Sequence, residues 1–178
     1  MGESIYPPEA KAILFLLTNQ PELVQKVIAH FEPVLGKVEI QSDWYPFEQS
    51  DYYEKELGKN LKRCVVGFKN IFEPHRLAEL KEMAVELEQP SPRKINIDPG
   101  TVDLFKVTLA STKAGGQKVA LSKEIYAYTL LRYEKGKWIP FEWTYPDFKE
   151  TIYHGDLLKI RESLKMSLRG AQATKQSS

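Results

Sequence analysis

The pattern of apolar and polar positions predicts a mixed chain in which strands and helices follow one another over the first hundred residues. Residues 12–17 form a continuous apolar run of strand length, which is typical of a central strand buried on both faces. Two segments, 24–35 and 77–87, place apolar residues at helical spacing, and each follows a proline that suits a first helical turn. Three more strands are predicted at 38–47, 63–68 and 94–97.

The order strand, helix, strand, strand, helix, strand is that of the ferredoxin-like, split βαβ plan. It predicts that the strand at 12–17 lies between those at 63–68 and 94–97, with both helices on one face of the sheet. Short apolar runs separated by glycine turns then predict an antiparallel β extension, followed by a C-terminal helix. The strands of this extension are predicted at 104–110, 118–121, 125–133 and 138–143. The predicted fold class is therefore α+β.

Length, charge and cysteine content narrow the function classes. The 178 residues fit one α+β domain, placed at 1–169, and the small polar residues of 170–178 predict a disordered tail. With 25 basic and 24 acidic residues, the chain lacks the strongly basic character of a duplex-binding protein. Its one cysteine, Cys64, lies in an apolar strand, which predicts a buried thiol and suits a reducing compartment. The run at 12–17 is too short to span a membrane, so the sequence predicts a cytoplasmic protein without a membrane partner and leaves its oligomeric state open.

Three short polar motifs each follow an apolar run, where a scaffold can present side chains to a ligand. The first, Asn-Ile-Asp-Pro-Gly at 96–100, suits a strand end followed by a turn, because Pro and Gly favour successive turn positions. In the alternative interpretation, Asn96 and Asp98 project from one face of the strand, at period two, toward a shared ligand or basic side chain. The sequence leaves both interpretations open.

The second motif is Ser-Thr-Lys at 111–113, which two glycines and Lys118 follow. It suits a plain hairpin turn. Alternatively, Ser111, Lys113 and backbone N–H groups form a cradle for a phosphate. The motif lacks the spacing and the strand-to-helix context of the phosphate-binding loop of nucleoside triphosphatases, so it does not predict that class of protein.

The third motif is Thr-Tyr-Pro-Asp at 144–147. It suits the start of the last helix, with the carboxylate of Asp147 near the positive end of the helix dipole. In the functional interpretation, Tyr145 and Asp147 face the same site as Asp98.

Together the motifs predict one cleft at which strand ends meet, completed by an arginine, either Arg63 or Arg161. The predicted ligand-binding residues are Arg63, Asn96, Asp98, Ser111, Lys113, Tyr145, Asp147 and Arg161. Cations and hydroxyls in this arrangement suit an anionic small molecule such as a nucleotide or a phosphorylated metabolite. Mg²⁺ enters as a cofactor only if such a phosphate ligand is bound, because one or two carboxylates then suffice to hold it. The sequence assigns no catalytic residue and no metal site made by the protein alone.

Two other classes of function stay open. A ferredoxin-like sheet with basic residues near aromatic ones also suits an RNA-binding module, although the strand at 63–68 carries one aromatic residue only, Phe68. RNA that co-purifies with the protein and is released by salt would favour this class. A non-catalytic protein-interaction domain is the third class, and an apolar sheet face closed only by dimerisation would favour it.

The chain also contains an internal similarity around two Tyr-Pro pairs. Tyrosine and leucine follow each pair at the same distances, and the residues are Tyr45, Pro46, Tyr53 and Leu57 in one copy and Tyr145, Pro146, Tyr153 and Leu157 in the other. Chance explains this in a chain rich in aromatic residues. The alternative predicts two equivalent strand-to-helix corners that pack their aromatic rings near one cleft, related by an approximate internal two-fold axis.

Several of these segments together resemble a known family. The resemblance rests on Asp51-Tyr52-Tyr53, Glu56, Gly58, Leu61, Arg63, Asn96-Ile97-Asp98-Pro99-Gly100, Leu109-Ala110-Ser111-Thr112-Lys113, Ile125-Tyr126-Ala127, Thr144-Tyr145-Pro146-Asp147 and Ile160-Arg161. In these motifs the chain resembles the domain of unknown function 4416 family, from the first strand to the last helix. The resemblance implies a small prokaryotic cytoplasmic protein without an established activity. It also implies an aromatic residue where this chain has Thr101, a His-Arg pair near Gly116 and Gln117, and an acidic residue at Tyr128.

Overall fold

Among residues 8–89 and 91–176, which the computed structural model describes, nine strands form one sheet with helices on both faces. The strands are β1 (Ala10–Thr18), β2 (Val38–Gln41), β3 (Tyr45–Pro46), β4 (Lys62–Phe72), β5 (Asn96–Val102), β6 (Lys106–Ser111), β7 (Val119–Ala120), β8 (Tyr126–Glu134) and β9 (Lys137–Pro140). The helices are α1 (Val24–Leu35), α2 (Glu54–Leu57), α3 (Leu77–Glu88), α4 (Pro146–Lys149) and α5 (His154–Gln176).

The sheet is antiparallel at every strand pair. Its order is β2-β4-β1-β5-β6-β8-β7, with β3 also paired to β4 and β9 to β8. The strand predicted from the continuous apolar run is β1, and all nine of its residues are buried. It lies between β4 and β5, as the sequence predicts, because a strand without a polar face needs neighbours and cover on every side.

The two faces of the sheet carry separate hydrophobic clusters. Helices α1 and α3 pack together on one face, where Val27 and Leu80 join the buried side chains of β1, β4 and β5. The predicted placement of these two helices on one face is therefore confirmed. The opposite face is covered by α4 and α5, whose Phe148 and Leu157 pack against Phe15 and other residues of β1, β6 and β8.

The motif at 96–100 is part of β5 and does not form a turn after it. The ladder between β1 and β5 continues through Pro99 and Gly100 to Val102, so the predicted strand end at residue 97 is wrong. Proline is tolerated because the ladder between β5 and β6 begins only at Gly100, which leaves Pro99 without a neighbour on that side. A Cβ on Gly100 would lie 2.5 Å from the carbonyl oxygen of Thr108, so only glycine permits the close approach of β6.

The later elements follow the predicted order, with boundaries that differ by a few residues. The extended segment predicted at 38–47 is two strands, β2 and β3, and both pair with β4. Helix α5 continues past the predicted domain boundary at Gly170 to Gln176, and residues 1–7 and 177–178 lie outside the described part of the chain. None of the helices within that part combines the length and the apolar character needed to cross a membrane.

Candidate functional site

The candidate site lies where β5 and β6 separate. Their ladder ends at the pair Gly100–Leu109, and continuing its register would place Asp98 opposite Ser111, where no pair forms among the described residues. A cleft of about 500 Å³ opens beside this point. Six aromatic side chains, two acidic and two basic ones line it: Phe47, Tyr52, Tyr53, Tyr128, Tyr145, Phe148, Asp98, Asp147, Arg63 and Lys113.

The sheet register places the two central charged residues on one face. Arg63 on β4 pairs with Leu17 on β1, whereas Asp98 on β5 pairs with Phe15 on β1. Directly paired residues share a face of an antiparallel sheet, and so do residues two positions apart along a strand. Arg63 and Asp98 therefore project to the same side of the sheet, on the two strands that flank β1.

Arg63 is the most buried cation of the cleft, with 3% of its surface exposed. Its Nη1 forms an ion pair with Oδ2 of Asp147, and its guanidinium lies 4.7 Å from the ring centre of Phe47 and 5.1 Å from that of Phe148. Burial is the largest single influence on Arg63 and opposes its charge, but the charge of Asp147, with smaller contributions from Tyr153 and Asp98, outweighs burial and raises the pKa of the guanidinium. The hydroxyl of Tyr153 lies 3.4 Å from the same carboxylate oxygen of Asp147. The pair is thus enclosed by aromatic rings on the floor of the cleft.

Asp98 is held in place by its neighbours on β5 and α3. Its Oδ2 accepts a hydrogen bond of 2.7 Å from the side-chain amide of Asn96, which in turn accepts one of 2.9 Å from Arg93. Nζ of the buried Lys81 lies 3.6 Å from Oδ1 of Asp98 and donates to the carbonyl oxygen of Ile97. These contacts fix the orientation of Asp98, and 22% of its side chain stays exposed.

Two lysines meet at the rim of the cleft without a carboxylate. Nζ of Lys118 donates to Oγ of Ser111 at 2.9 Å and to the carbonyl oxygen of Lys113 at 2.8 Å, and it lies 4.9 Å from the ring centre of Tyr128. Nζ of Lys113 contacts the hydroxyl of Tyr52. Within the described residues, neither ammonium group has an acidic partner within 4 Å. Burial and the charge of Lys113 lower the pKa of Lys118.

The contact between Lys113 and Tyr52 predicts a lowered pKa of the Tyr52 phenol, which can be measured. The hydrogen bond and the charge of Lys113 lower the pKa of the Tyr52 phenol below its ordinary value of about 10, because both favour the phenolate. In Lys113→Ala we expect this pKa to rise toward the ordinary value. Titration of the tyrosine Cζ signals by NMR, assigned with Tyr52→Phe, measures it. Lys26→Ala on α1 is the control, and an unchanged Tyr52 pKa in Lys113→Ala would contradict the contact.

The structure brings most of the predicted site residues together. Arg63, Asp98, Lys113, Tyr145 and Asp147 line the cleft, while Asn96 and Ser111 adjoin it through their hydrogen bonds to Asp98 and Lys118. The sequence predicts either Arg63 or Arg161 in the site, and of these two it is Arg63 that lines the cleft.

The predicted placement of Arg161 in the site is not observed. Its Nε donates to the carbonyl oxygen of Leu104 at 2.9 Å, and its guanidinium lies 3.5 Å from the ring centre of Tyr133. Helical spacing marks Arg161 as a residue of the last helix but does not say which strand end it contacts. In the fold it caps the loop between β5 and β6, at the other end of that ladder.

Of the aromatic walls of the cleft, the sequence predicts Tyr145 but not Tyr52 or Tyr128. Tyr52 comes from the 3₁₀ turn before α2, and Tyr128 comes from the middle of β8. No local pattern links these tyrosines to Asp98, although the family resemblance marks position 128 as one where this chain departs from its expected pattern. Burial raises the pKa of Tyr128, so this side chain stays neutral in the cleft.

The two Tyr-Pro segments are alike at one end and different at the other. Tyr53 and Tyr153 each end a 3₁₀ turn that leads into a helix, α2 and α5 respectively. However, Tyr45 lies in β3, whereas Tyr145 precedes α4, and the hydroxyl of Tyr45 donates to Asp156 at 2.8 Å. Each segment also contributes one ring beside Arg63, Phe47 from the first and Phe148 from the second, and the two-fold relation stays a prediction.

Cys64 and the His, Asp and Glu side chains are the remaining groups of the described chain that could act as a nucleophile or as metal ligands. Cys64 is fully buried in β4, and burial raises the pKa of its thiol to about 12, so it is not a reactive thiolate at neutral pH. No group of three or more His, Cys, Asp or Glu side chains that could hold a metal ion is found among the residues described.

The fold and the cleft define an α+β protein with an aromatic, lysine-rimmed cleft at the point where its sheet opens. The family model described as Domain of unknown function (DUF4416) matches residues 8–164, so the chain belongs to that family and the resemblance seen in its motifs is confirmed. No curated protein and no solved structure matches the chain.

Proposed function

We propose that the cleft binds an anionic small molecule, such as a nucleotide or a phosphorylated metabolite. The observation that carries this proposal is the pair Lys113 and Lys118. The ammonium group of Lys118 contacts Ser111 and that of Lys113 contacts Tyr52, and neither has an acidic partner among the described residues. Two neighbouring cations repel each other, and a bound anion relieves that repulsion and accepts their hydrogen bonds.

The walls of the cleft suit the rest of such a ligand. Tyr52 and Tyr145 are 62% and 48% exposed, which leaves part of each ring accessible to a planar group. The ammonium group of Lys113 lies over the ring of Tyr52, 4.3 Å from its centre. The volume of about 500 Å³ lies within the range of about 300–1,000 Å³ that is typical of small-molecule sites.

The two carboxylates of the cleft do not oppose this proposal. Asp147 is neutralised by Arg63, and Asp98 is balanced by Lys81 and by the amide of Asn96. Asp98 is also the one partly exposed carboxylate of the cleft among the described residues. If the ligand carries a phosphate, Asp98 supplies one of the few protein oxygens that Mg²⁺ needs beside that phosphate.

An RNA-binding module is the second candidate function, because exposed rings such as those of Tyr52 and Tyr145 can stack on unpaired bases. A net charge of +1 gives this alternative little electrostatic support. RNA that co-purifies with the protein and is lost when salt is raised would favour it over the small ligand. A non-catalytic interaction domain is the third candidate, and the absence of any ligand response would favour that class.

We also propose the finer fold and location that the sequence suggests. The order β2-β4-β1-β5, with α1 and α3 on one face, supports a ferredoxin-like unit over residues 10–102, to which the strands after β5 are added. The single, buried cysteine supports a cytoplasmic protein.

Thermal unfolding with added ligands tests the proposed function. Nucleotides and phosphorylated metabolites, with and without Mg²⁺, are screened against the wild type, Lys113→Ala and Lys26→Ala. A true ligand at a hundredfold excess over its dissociation constant stabilises the wild type by about 2.7 kcal/mol. For a domain of this size, about 2–4 °C in Tm corresponds to each kcal/mol. Lys113→Ala should abolish this rise, because it removes one of the two unpaired cations.

The unliganded proteins provide the control. Lys113 is exposed, so its removal should change the free energy of unfolding by no more than about 0.5 kcal/mol. Lys26, an exposed lysine of α1, should behave like the wild type with and without ligand. Equal responses to ligand in wild type and Lys113→Ala would exclude the lysine pair as the anion site, and no response in any protein would count against the whole proposal.

A further inference from the structure

Arg63 has a donor that the described residues leave unused. Its Nε is buried and has no hydrogen-bond partner among them, although Nη1 is paired with Asp147. A buried donor without a partner is unfavourable and calls for an explanation, such as an acceptor that arrives with a ligand. Because Arg63 lines the cleft, an acceptor at the inner end of a bound molecule can satisfy this donor.

Asp98 offers the complementary group. Its carboxylate accepts from Asn96 and lies near Lys81, which leaves part of its acceptor capacity unused, since an ionised carboxylate has about four lone-pair sites. The side chain is 22% exposed and lines the same cleft. A ligand that donates a hydrogen bond to Asp98 would use the remaining capacity.

These two groups face a common space. They project from the same face of the sheet on strands that are separated only by β1. Their backbones lie about 12 Å apart, because they are two strand spacings apart across the sheet and two residues apart along it. The long side chain of Arg63 spans part of this gap, and both side chains line the cleft. The charge of Asp98 is among those that raise the pKa of Arg63 against the effect of burial.

We infer that the ligand of the proposed site carries a neutral amide or lactam at its inner end, whose carbonyl oxygen accepts from Nε of Arg63 and whose N–H donates to Asp98. Its planar ring lies between the aromatic walls, and its anionic group lies at Lys113 and Lys118. This inference rests on the proposed function and adds the chemical class of the inner end.

The charges around the inner end select a neutral group there. A carboxylate there would lie beside the partly exposed carboxylate of Asp98, to which it cannot donate a hydrogen bond, and Arg63 is already paired with Asp147. A ring without a polar substituent would leave Nε of Arg63 unpaired. The expected order of affinity is therefore amide first, unsubstituted ring second and carboxylate last.

Three compounds that differ only at the inner end test this order: 4-carbamoylphenyl phosphate, phenyl phosphate and 4-carboxyphenyl phosphate. Dissociation constants are measured by NMR titration of the full chain, with the signals of Tyr52 and Tyr145 as reporters. The amide should bind about tenfold more tightly than phenyl phosphate, which corresponds to about 1.4 kcal/mol. The carboxylate should bind more weakly than phenyl phosphate.

Two variants separate the inference from the proposed function. In Asp98→Asn the penalty on the carboxylate should shrink, because one negative charge is removed while a polar group of the same shape stays. In Lys113→Ala all three compounds should lose affinity together. Equal binding of the three compounds to the wild type would overturn the inference and leave the proposed function intact. Failure of all three to bind at millimolar concentrations would overturn both.

Discussion

Asp147→Ala is expected to lower the free energy of unfolding by about 3–5 kcal/mol, because it leaves the charge of Arg63 buried without its partner. Arg63 is 3% exposed and the rings of Phe47 and Phe148 lie against its guanidinium, so the solvent compensates little for the lost carboxylate. Urea unfolding followed by circular dichroism measures the change. A loss of this size is a large part of the total stability of an ordinary domain.

An exposed ion pair of the same protein provides the matched control. Arg76 and Glu79 are joined at 2.8 Å on the surface of the helical layer, with 37% and 54% of their side chains exposed. Glu79→Ala should therefore lower stability by only about 0.2–1 kcal/mol. The double variant Arg63→Met with Asp147→Leu should recover much of the loss, since apolar residues often replace a buried pair without penalty. Similar losses in Asp147→Ala and Glu79→Ala would show that burial does not govern this pair.

The order of the central strands could be predicted because one strand has no polar face. The continuous apolar run of β1 requires neighbours on both edges and cover on both faces, and the two amphipathic helices supply cover on one of them. A continuous apolar run and a helical spacing of apolar residues are local signals, which a window of a few residues contains. The boundaries of β5 were not readable in this way, because the propensity of Pro99 and Gly100 for a turn is outweighed by their pairing with β1.

For the candidate site, too, local sequence signals could be interpreted, whereas contacts between distant elements could not be predicted. The position of polar residues after apolar runs led to Asp98, Lys113 and Asp147, and these three line one cleft. Tyr52 and Tyr128 could not be predicted, since they reach the cleft from a short turn and a late strand that only the complete sheet brings together. Proximity between elements that are distant along the chain depends on the register and twist of the sheet, and the local pattern of apolar and polar residues predicts neither.

The register of β5 and β6 also explains why polar side chains gather at this cleft. The ladder between β5 and β6 ends at the pair Gly100–Leu109, so residues 96–99 of β5 and 110–111 of β6 do not pair with each other. Polar side chains from Asn96, Asp98 and Ser111 occupy this opening, and each forms a hydrogen bond to another side chain there. A sheet that opens in its middle therefore exposes fixed polar groups beside a buried core, which is the setting that small-molecule sites require.

Phe15→Ala is expected to lower the free energy of unfolding by about 3–5 kcal/mol, because it removes the ring on which the floor of the cleft is built. Phe15 is fully buried in β1, directly opposite Asp98, and its ring meets those of Phe148 at 4.7 Å and Tyr153 at 5.7 Å in edge-to-face contacts. The neighbouring rings of Phe148 and Tyr153 are themselves buried, so we expect them to relax only partly into the space and most of the cavity to persist. Urea unfolding measures this loss as well.

Phe105→Ala is the matched control for this substitution, because the ring of Phe105 is 62% exposed and its removal should change the free energy of unfolding by no more than about 0.5 kcal/mol. Affinity for an anionic ligand should fall in Phe15→Ala and stay unchanged in Phe105→Ala, since Phe15 supports both strands that carry Arg63 and Asp98. If Phe15→Ala lost stability while keeping full ligand affinity, the floor built on Phe15 would not position these two charged groups. Equal stabilities of the two alanine variants would contradict the packing of the cleft floor itself.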